Sequence, residues 1–306
     1  VRMGFLPEWL GLIPASLLLL LSLFLPGMLA IRALGASWGW GFVLGPAVTS
    51  AIVGVTSYFL YPTILWGPLA FIGVSAVAIA VSALAGFAIR RKWDLRPAGI
   101  PIGWYPRNIQ WASIASAIAV SLILIVPILV IMDPTLPQAK SDPMYHYNVI
   151  NAIEQKGAAN SLYAATSNYG VRILNIMYPS VFHAIIAVVA SVGNIVPVAN
   201  AMVYVVVPLV WTIGIVALGL VAFPRIPYAA AFLPVITLMF AVFPGLLSGT
   251  KGFWPNSFAL AMVPGILAFI VWRVNRHGLD GQPQPISGIF STVIVLAAIG
   301  GSSLAH

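Results

Sequence analysis

The stretch Ser141-Asp142-Pro143-Met144-Tyr145-His146-Tyr147-Asn148 sets a carboxylate and an imidazole four residues apart. On a helix that spacing brings both to one face. A carboxylate there can take the proton of an attacking hydroxyl, while the imidazole orients it or touches the substrate. The same letters have a plainer reading. Asp before Pro is the ordinary opening of a helix, a capping side chain followed by a first-position proline, and a lone histidine at an interface is commonly just hydrogen-bonded. Spacing alone leaves both readings open. Asp142 and His146 are the candidate catalytic pair, with Asn148 as a substrate contact.

Other polar groups lie far apart in the chain. Tyr178-Pro179-Ser180-Val181-Phe182-His183 places His183 about one turn inside a short apolar run, where it must face protein or water rather than lipid. Lys251-Gly252-Phe253-Trp254-Pro255-Asn256 joins a cation to aromatic and amide groups; its bland reading is an aromatic anchor at a membrane interface. Tyr178, His183, Lys251, Trp254, Asn256, Arg172 and the terminal His306 complete the candidate binding set. Lys251 and Arg172, with Lys140 and Lys156 behind them, could stabilise an anionic leaving group. Asp142, His146 and His183 have donor atoms that suit a divalent ion, although the chemistry requires no metal. With no cysteine in the chain, disulfides and thiolate chemistry are excluded. Neither a phosphate-cradling Gly-rich loop ending in Lys-Ser or Lys-Thr nor a His-Glu-x-x-His pattern is present, which argues against nucleotide hydrolysis and zincin chemistry.

These groups hang on elements that a membrane must hold. Of 306 residues, 61% are apolar and 7% charged, and the mean hydropathy is +1.03. Soluble proteins carry about 25% charged residues. A helix crosses a bilayer with roughly 20 apolar residues, and such runs occupy Trp9–Leu34, Trp40–Tyr61, Trp66–Ile89, Ile109–Met132, Val198–Phe223, Pro227–Leu247, Phe258–Val274 and Ile286–Leu304. The first is too long for a signal-peptide core and reads as a retained helix. Tyr178–Val192 is too short to cross, and a short or re-entrant helix there lets the basic residues fall on one side. The expected fold is an all-α polytopic transmembrane bundle of about 8–9 spans, counting that helix, in the plasma membrane. A long outer loop, 133–177, carries an amphipathic helix.

The basic cluster Arg90, Arg91, Lys92, Arg96 and Arg107 should be cytoplasmic, which puts the loop outside. The net charge of +8 then reflects topology and anionic headgroups, with membrane lipids as partners and no nucleic acid. The chain divides into an N-terminal three-helix segment, 1–108, and a module over 109–306. No charge lies deep in an expected helix and no repeat relates the halves, which weakens ion-carrier and inverted-repeat transporter readings. The chain stops straight after an apolar run, so more sequence is expected to follow it.

The Asp-x-x-x-His-x-Asn pattern at Asp142–Asn148, the element Tyr178-Pro179-x-x-Phe182-His183, the trio Trp254-Pro255-Asn256 and the closing Ala305-His306 together resemble an uncharacterised multi-spanning membrane family common in actinobacteria. That family looks related to the GT-C superfamily of lipid-linked-sugar glycosyltransferases. The resemblance runs from Asp142 to His306. It implies an inverting glycosyltransferase with a polyprenyl-phosphate sugar donor, a glycan or lipid acceptor, an extracytoplasmic catalytic face and a place in cell-envelope assembly, with Asp142 as the acid of the outer loop. The alternatives are a transporter or flippase of a lipid-linked sugar, and a non-catalytic subunit of a membrane complex.

Overall fold

A computed structural model describes residues 4–61, 63–93, 107–163, 178–224, 226, 228–239, 242–279 and 288–305. Its elements are helical: α1 (Leu6–Leu10), α2 (Ile13–Ala33), α3 (Trp38–Leu60), α4 (Pro68–Trp93), α5 (Arg107–Ile131), α6 (Ser141–Lys156), α7 (Val181–Ala190), α8 (Ile195–Ala201), α9 (Val207–Ala222), α10 (Ala229–Thr237), α11 (Trp254–Leu279) and α12 (Gly288–Ala305). A π-helical turn, Met202–Val206, joins α8 to α9 in one continuous helix, Ile195–Ala222. Six helices are long and apolar enough to cross a membrane: α2, α3, α4, α5, Ile195–Ala222 and α11. The chain is thus a multi-pass helical membrane protein by length and composition.

Local chemistry sets the boundaries. Ser37 caps α3 through its hydroxyl, which accepts from the Trp40 N–H at 3.3 Å, satisfying a donor that the first turn leaves open. Gly157 ends α6 in the left-handed region at φ 63, the usual glycine stop. Its carbonyl then accepts from the Trp66 N–H at 2.8 Å, tying α6 to the segment before α4.

Pairwise contacts give the direction of each helix. Gly27 of α2 packs on the backbone of Gly45 and Thr49 in α3, and its N–H donates to Thr49 Oγ1 at 2.9 Å; small residues permit such approach where apolar solvent gives no other drive. Gly41 meets Met28, and Gly45, one turn later in α3, meets Phe24, one turn earlier in α2, so α2 and α3 are antiparallel. Ser121 of α5 bonds Thr212 of α9 at 2.8 Å, and the Asn200 amide of α8 donates to the Pro134 carbonyl just past α5 at 2.9 Å. The end of α5 and the start of α8 therefore share one end of the bundle. Residues 132–194 begin and finish at that end. Gly214 meets Gly265, so α9 and α11 run side by side. The opposite end receives Arg32, Arg90, Arg91, Lys92, Arg107, Arg273 and Arg276 in helix termini.

Two expectations need correction, and a third, the short helix after Tyr178, is met. Pro227–Leu247 is not one continuous helix: α10 has 9 residues, and a π-helical segment, Val242–Lys251, follows it with Phe243 extended at φ −128, ψ 140. Pro234 and Pro244 remove backbone donors there and crowd the preceding turn. Trp9–Leu34 is likewise broken, between α1 and α2. The apolar run after Tyr178 yields a 10-residue helix, α7, about 15 Å long. Each of its residues is buried, and its Ala184 carbonyl accepts from Trp66 Nε1 at 3.0 Å. It is a core element of the end where α6 also sits.

Candidate functional site

α6 lays an apolar face against α7 through His146, Tyr147, Val149, Ile150 and Ile153, all buried. That packing brings two imidazoles together. His146 Nδ1 lies 3.0 Å from His183 Nε2, and both rings are buried. Trp254, at the start of α11, stacks on His146 with centroids 5.5 Å apart and 29° between planes. Phe182 and Tyr178 bracket His183 at 5.3 and 5.8 Å, and Tyr145 meets Tyr178 at 5.2 Å. The pair thus sits in an aromatic box built from α6, α7, α11 and the segment before α7.

Burial lowers the pKa of His146 to about 4, against a smaller opposite pull from the Gly252 backbone. A neutral ring follows at ordinary pH, as a dry, aromatic surrounding disfavours the imidazolium. Among the described residues, the buried His183 Nδ1 has no hydrogen-bond partner.

A second polar cluster adjoins the first. The Tyr147 hydroxyl donates to Asn200 Oδ1 at 2.8 Å, and Gln138 donates its side-chain amide to the Tyr204 hydroxyl. Tyr204 lies within the π-helical turn, and such turns shift side chains off the regular helical face, often at functional positions. Burial pushes the Tyr147 hydroxyl up to about 12, so it stays protonated as a donor.

Asp142 lies inside the first turn of α6, with Lys140 at the cap position making no side-chain capping bond. The capping reading of Asp142 is therefore corrected: the helix opens at Ser141, one residue before it, and Pro143 falls at the third position. The Asp142 carboxyl is half-buried and takes no hydrogen bond or ion pair from the described residues. Gly252, at φ 75, packs directly on Pro143 and Asp142: a Cβ there would lie 2.5 Å from Pro143 Cδ and 3.6 Å from Asp142 Cβ. This crossing carries exposed Lys251 to the head of α6. Lys140 Nζ donates to the Gly249 carbonyl at 3.1 Å in the same strap.

Of the residues singled out in the sequence, His146, His183, Tyr178 and Trp254 meet, and Asp142 and Lys251 adjoin them through Gly252. Asn148 is exposed on α6, two residues from His146, and Asn256 is half-buried in the first turn of α11; neither touches the imidazole pair. Arg172 and His306 fall outside the described residues. Among the described residues no three His, Asp or Glu side chains gather into a group able to hold a metal ion, so Asp142 does not complete a donor set with the two histidines. Tyr145, Tyr147, Gln138, Asn200 and Tyr204 were not anticipated. Asn200 and Tyr204 were the legible ones, since polar groups in an apolar run mark function or packing against protein.

No curated protein and no solved structure matches this chain. The profile of one family, described as "Family of unknown function (DUF6541)", matches residues 20–306, and the chain belongs to that family.

Proposed function

We propose that the protein is a membrane glycosyltransferase that takes its sugar from a polyprenyl-phosphate donor on the extracytoplasmic face, in cell-envelope glycan assembly. One observation carries the reading. Asp142, a half-buried carboxylate without a partner among the described residues, stands one helical turn from the buried imidazole pair, with Lys140 and Lys251 beside it. An inert helix opener would be capped or solvated; a base needs a free carboxylate in partial shelter.

In this reading eight segments cross the bilayer: α2, α3, α4, α5, Ile195–Ala222, α10 with the π-helical segment, α11 and α12. The short α7 stays on the site side as a re-entrant helix. The basic helix ends then lie in the cytoplasm, and the site faces out. Asp142 takes the proton of an acceptor hydroxyl while that oxygen bonds to the anomeric carbon. The anomeric carbon–oxygen bond to phosphate breaks, its electron pair leaves with the polyprenyl phosphate, and the anomeric centre inverts. Lys251 stabilises the phosphate anion. The step requires no divalent metal. The acceptor is a glycan or lipid hydroxyl.

The test is Asp142→Asn in purified, detergent-solubilised protein, assayed for transfer from a panel of polyprenyl-phosphate pentoses and hexoses. Transfer should fall by at least 100-fold, on the order of what a lost general base costs, with melting temperature and membrane insertion unchanged. Undiminished transfer by the variant would remove Asp142 from the chemistry, and no transfer by the unaltered protein from any donor would end the transferase reading.

A further inference from the structure

The end of the bundle opposite the candidate site carries positive charge with no described carboxylate to balance it. The described carboxylates, Glu8, Asp133, Asp142 and Glu154, all stand at the site end. Glu8 lies in α1, whose Trp9 Nε1 donates to the Met132 carbonyl just past α5 at 2.9 Å, and the others lie between α5 and α7. At the basic end, Arg32 lies in the last turn of α2. Among the described residues its guanidinium donates to the Ala36 carbonyl at 3.4 Å, a long bond, and stands 5.6 Å from the centre of the Trp38 ring. Neither neighbour supplies a negative charge. A guanidinium has five N–H donors, so most of this fork has no protein acceptor among the described residues.

The surface beside it is apolar and continues toward the middle of the bundle. Arg32 is half-buried, and Trp38, in the first turn of α3, is exposed. Phe42 lies one turn past Trp38 and shares its face of α3. Its ring stacks on Phe24 of α2 at 4.9 Å and is still largely exposed. From the end of the bundle inward, the order is therefore guanidinium, indole, phenyl. A soluble anion would use only the first of these. A phospholipid uses all of them, with its phosphate on the guanidinium and an acyl chain along the two rings. A zwitterionic headgroup would bring its own cation to a place where positive charge is already unbalanced; a net-negative headgroup does not.

We propose that Arg32, Trp38 and Phe42 form a discrete seat for one anionic phospholipid at the seam of α2 and α3, with the phosphate held by the Arg32 guanidinium. The seat is distinct from the general attraction of basic helix ends to a charged leaflet, and it stands or falls independently of the transferase reading.

A charge-matched pair of substitutions separates a seat from a diffuse field. Arg107 is exposed at the start of α5, a helix that packs on α9 and α10. The full chain in detergent is titrated with dioleoyl phosphatidylglycerol or dioleoyl phosphatidylcholine, and retained lipid is counted by native mass spectrometry. The unaltered protein should retain one phosphatidylglycerol in preference to phosphatidylcholine by about fivefold, the scale of one basic residue at an anionic surface. Arg32→Gln should abolish that preference, and Arg107→Gln, which removes the same charge, should keep it. Equal losses in the two variants would mean a diffuse field and overturn the seat, as would equal retention of the two lipids by the unaltered protein. Excess sn-glycerol 3-phosphate should leave the retained phosphatidylglycerol in place; its displacement would assign the guanidinium to a soluble phosphate and overturn the lipid. If Arg32→Gln fails to fold, Trp38→Ala, at an exposed position, decides. It should lower retention of phosphatidylglycerol, and unchanged retention overturns the proposal.

Discussion

At the scale of single residues, the site is governed by how little water reaches it. His146 and His183 are held neutral because each would have to ionise among aromatic rings beside another imidazole. For His146 this has a measurable sign. Its pKa is about 4 in the folded protein and returns to about 6.5 when the chain unfolds. The unfolded state then binds the extra proton first as pH falls. The stability tied to a neutral His146 is complete above about pH 6.5 and drains away between about 6.5 and 4, by on the order of 2–3 kcal/mol. Melting temperatures in detergent should be flat above that window and fall within it. His146→Gln should flatten that part of the curve, and a variant with the undiminished slope would show that other groups cause it.

At the scale of elements, the contact that matters most is the strap over the head of α6. Gly252 sits at φ 75 and leaves no room for a Cβ beside Pro143. Gly252→Ala combines a left-handed backbone with a steric clash, which costs on the order of 1–3 kcal/mol. A melting-temperature drop should come with loss of sugar transfer, because the strap packs on Pro143 and Asp142 at the head of α6. A drop without the loss of transfer would reduce Gly252 to a structural turn. Much of this level was legible beforehand. Hydropathy located the long helices, since the bilayer demands length. What the residue string could not disclose is the pairing of His146 with His183, 37 positions apart. That meeting depends on α7 being buried on every side, whereas its apolar run reads equally as a stunted span. The break in the run from Pro227 to Leu247 was signalled by its prolines, but membrane helices tolerate proline often enough that the signal alone did not decide.

At the scale of the whole molecule, charge and site separate along the bundle. Arg32, Arg91, Arg107 and Arg273 stand at one end, and Asp142, Lys140, Lys156 and Lys251 at the other. The natural absence of cysteine makes this easy to test. Single substitutions Lys156→Cys and Lys251→Cys should be labelled by a membrane-impermeant maleimide added to intact cells, whereas Arg91→Cys should react only after permeabilisation. The reverse pattern would turn the protein over and place the site in the cytoplasm.

The continuous helix Ile195–Ala222 has 28 residues, about 42 Å against a hydrocarbon slab of about 30 Å, and so serves as a ruler. Set its lower end, Ala222, at the inner edge of the oil, and about 20 residues upward the waterline falls at the π-helical turn that holds Tyr204. The imidazoles and Asp142 are tethered to that level by Gln138, Tyr147 and Trp254. On the transferase proposal, a donor anchored by its polyprenyl tail would then float to the height of the site with its headgroup already wet, needing neither extraction from its leaflet nor a dive into it.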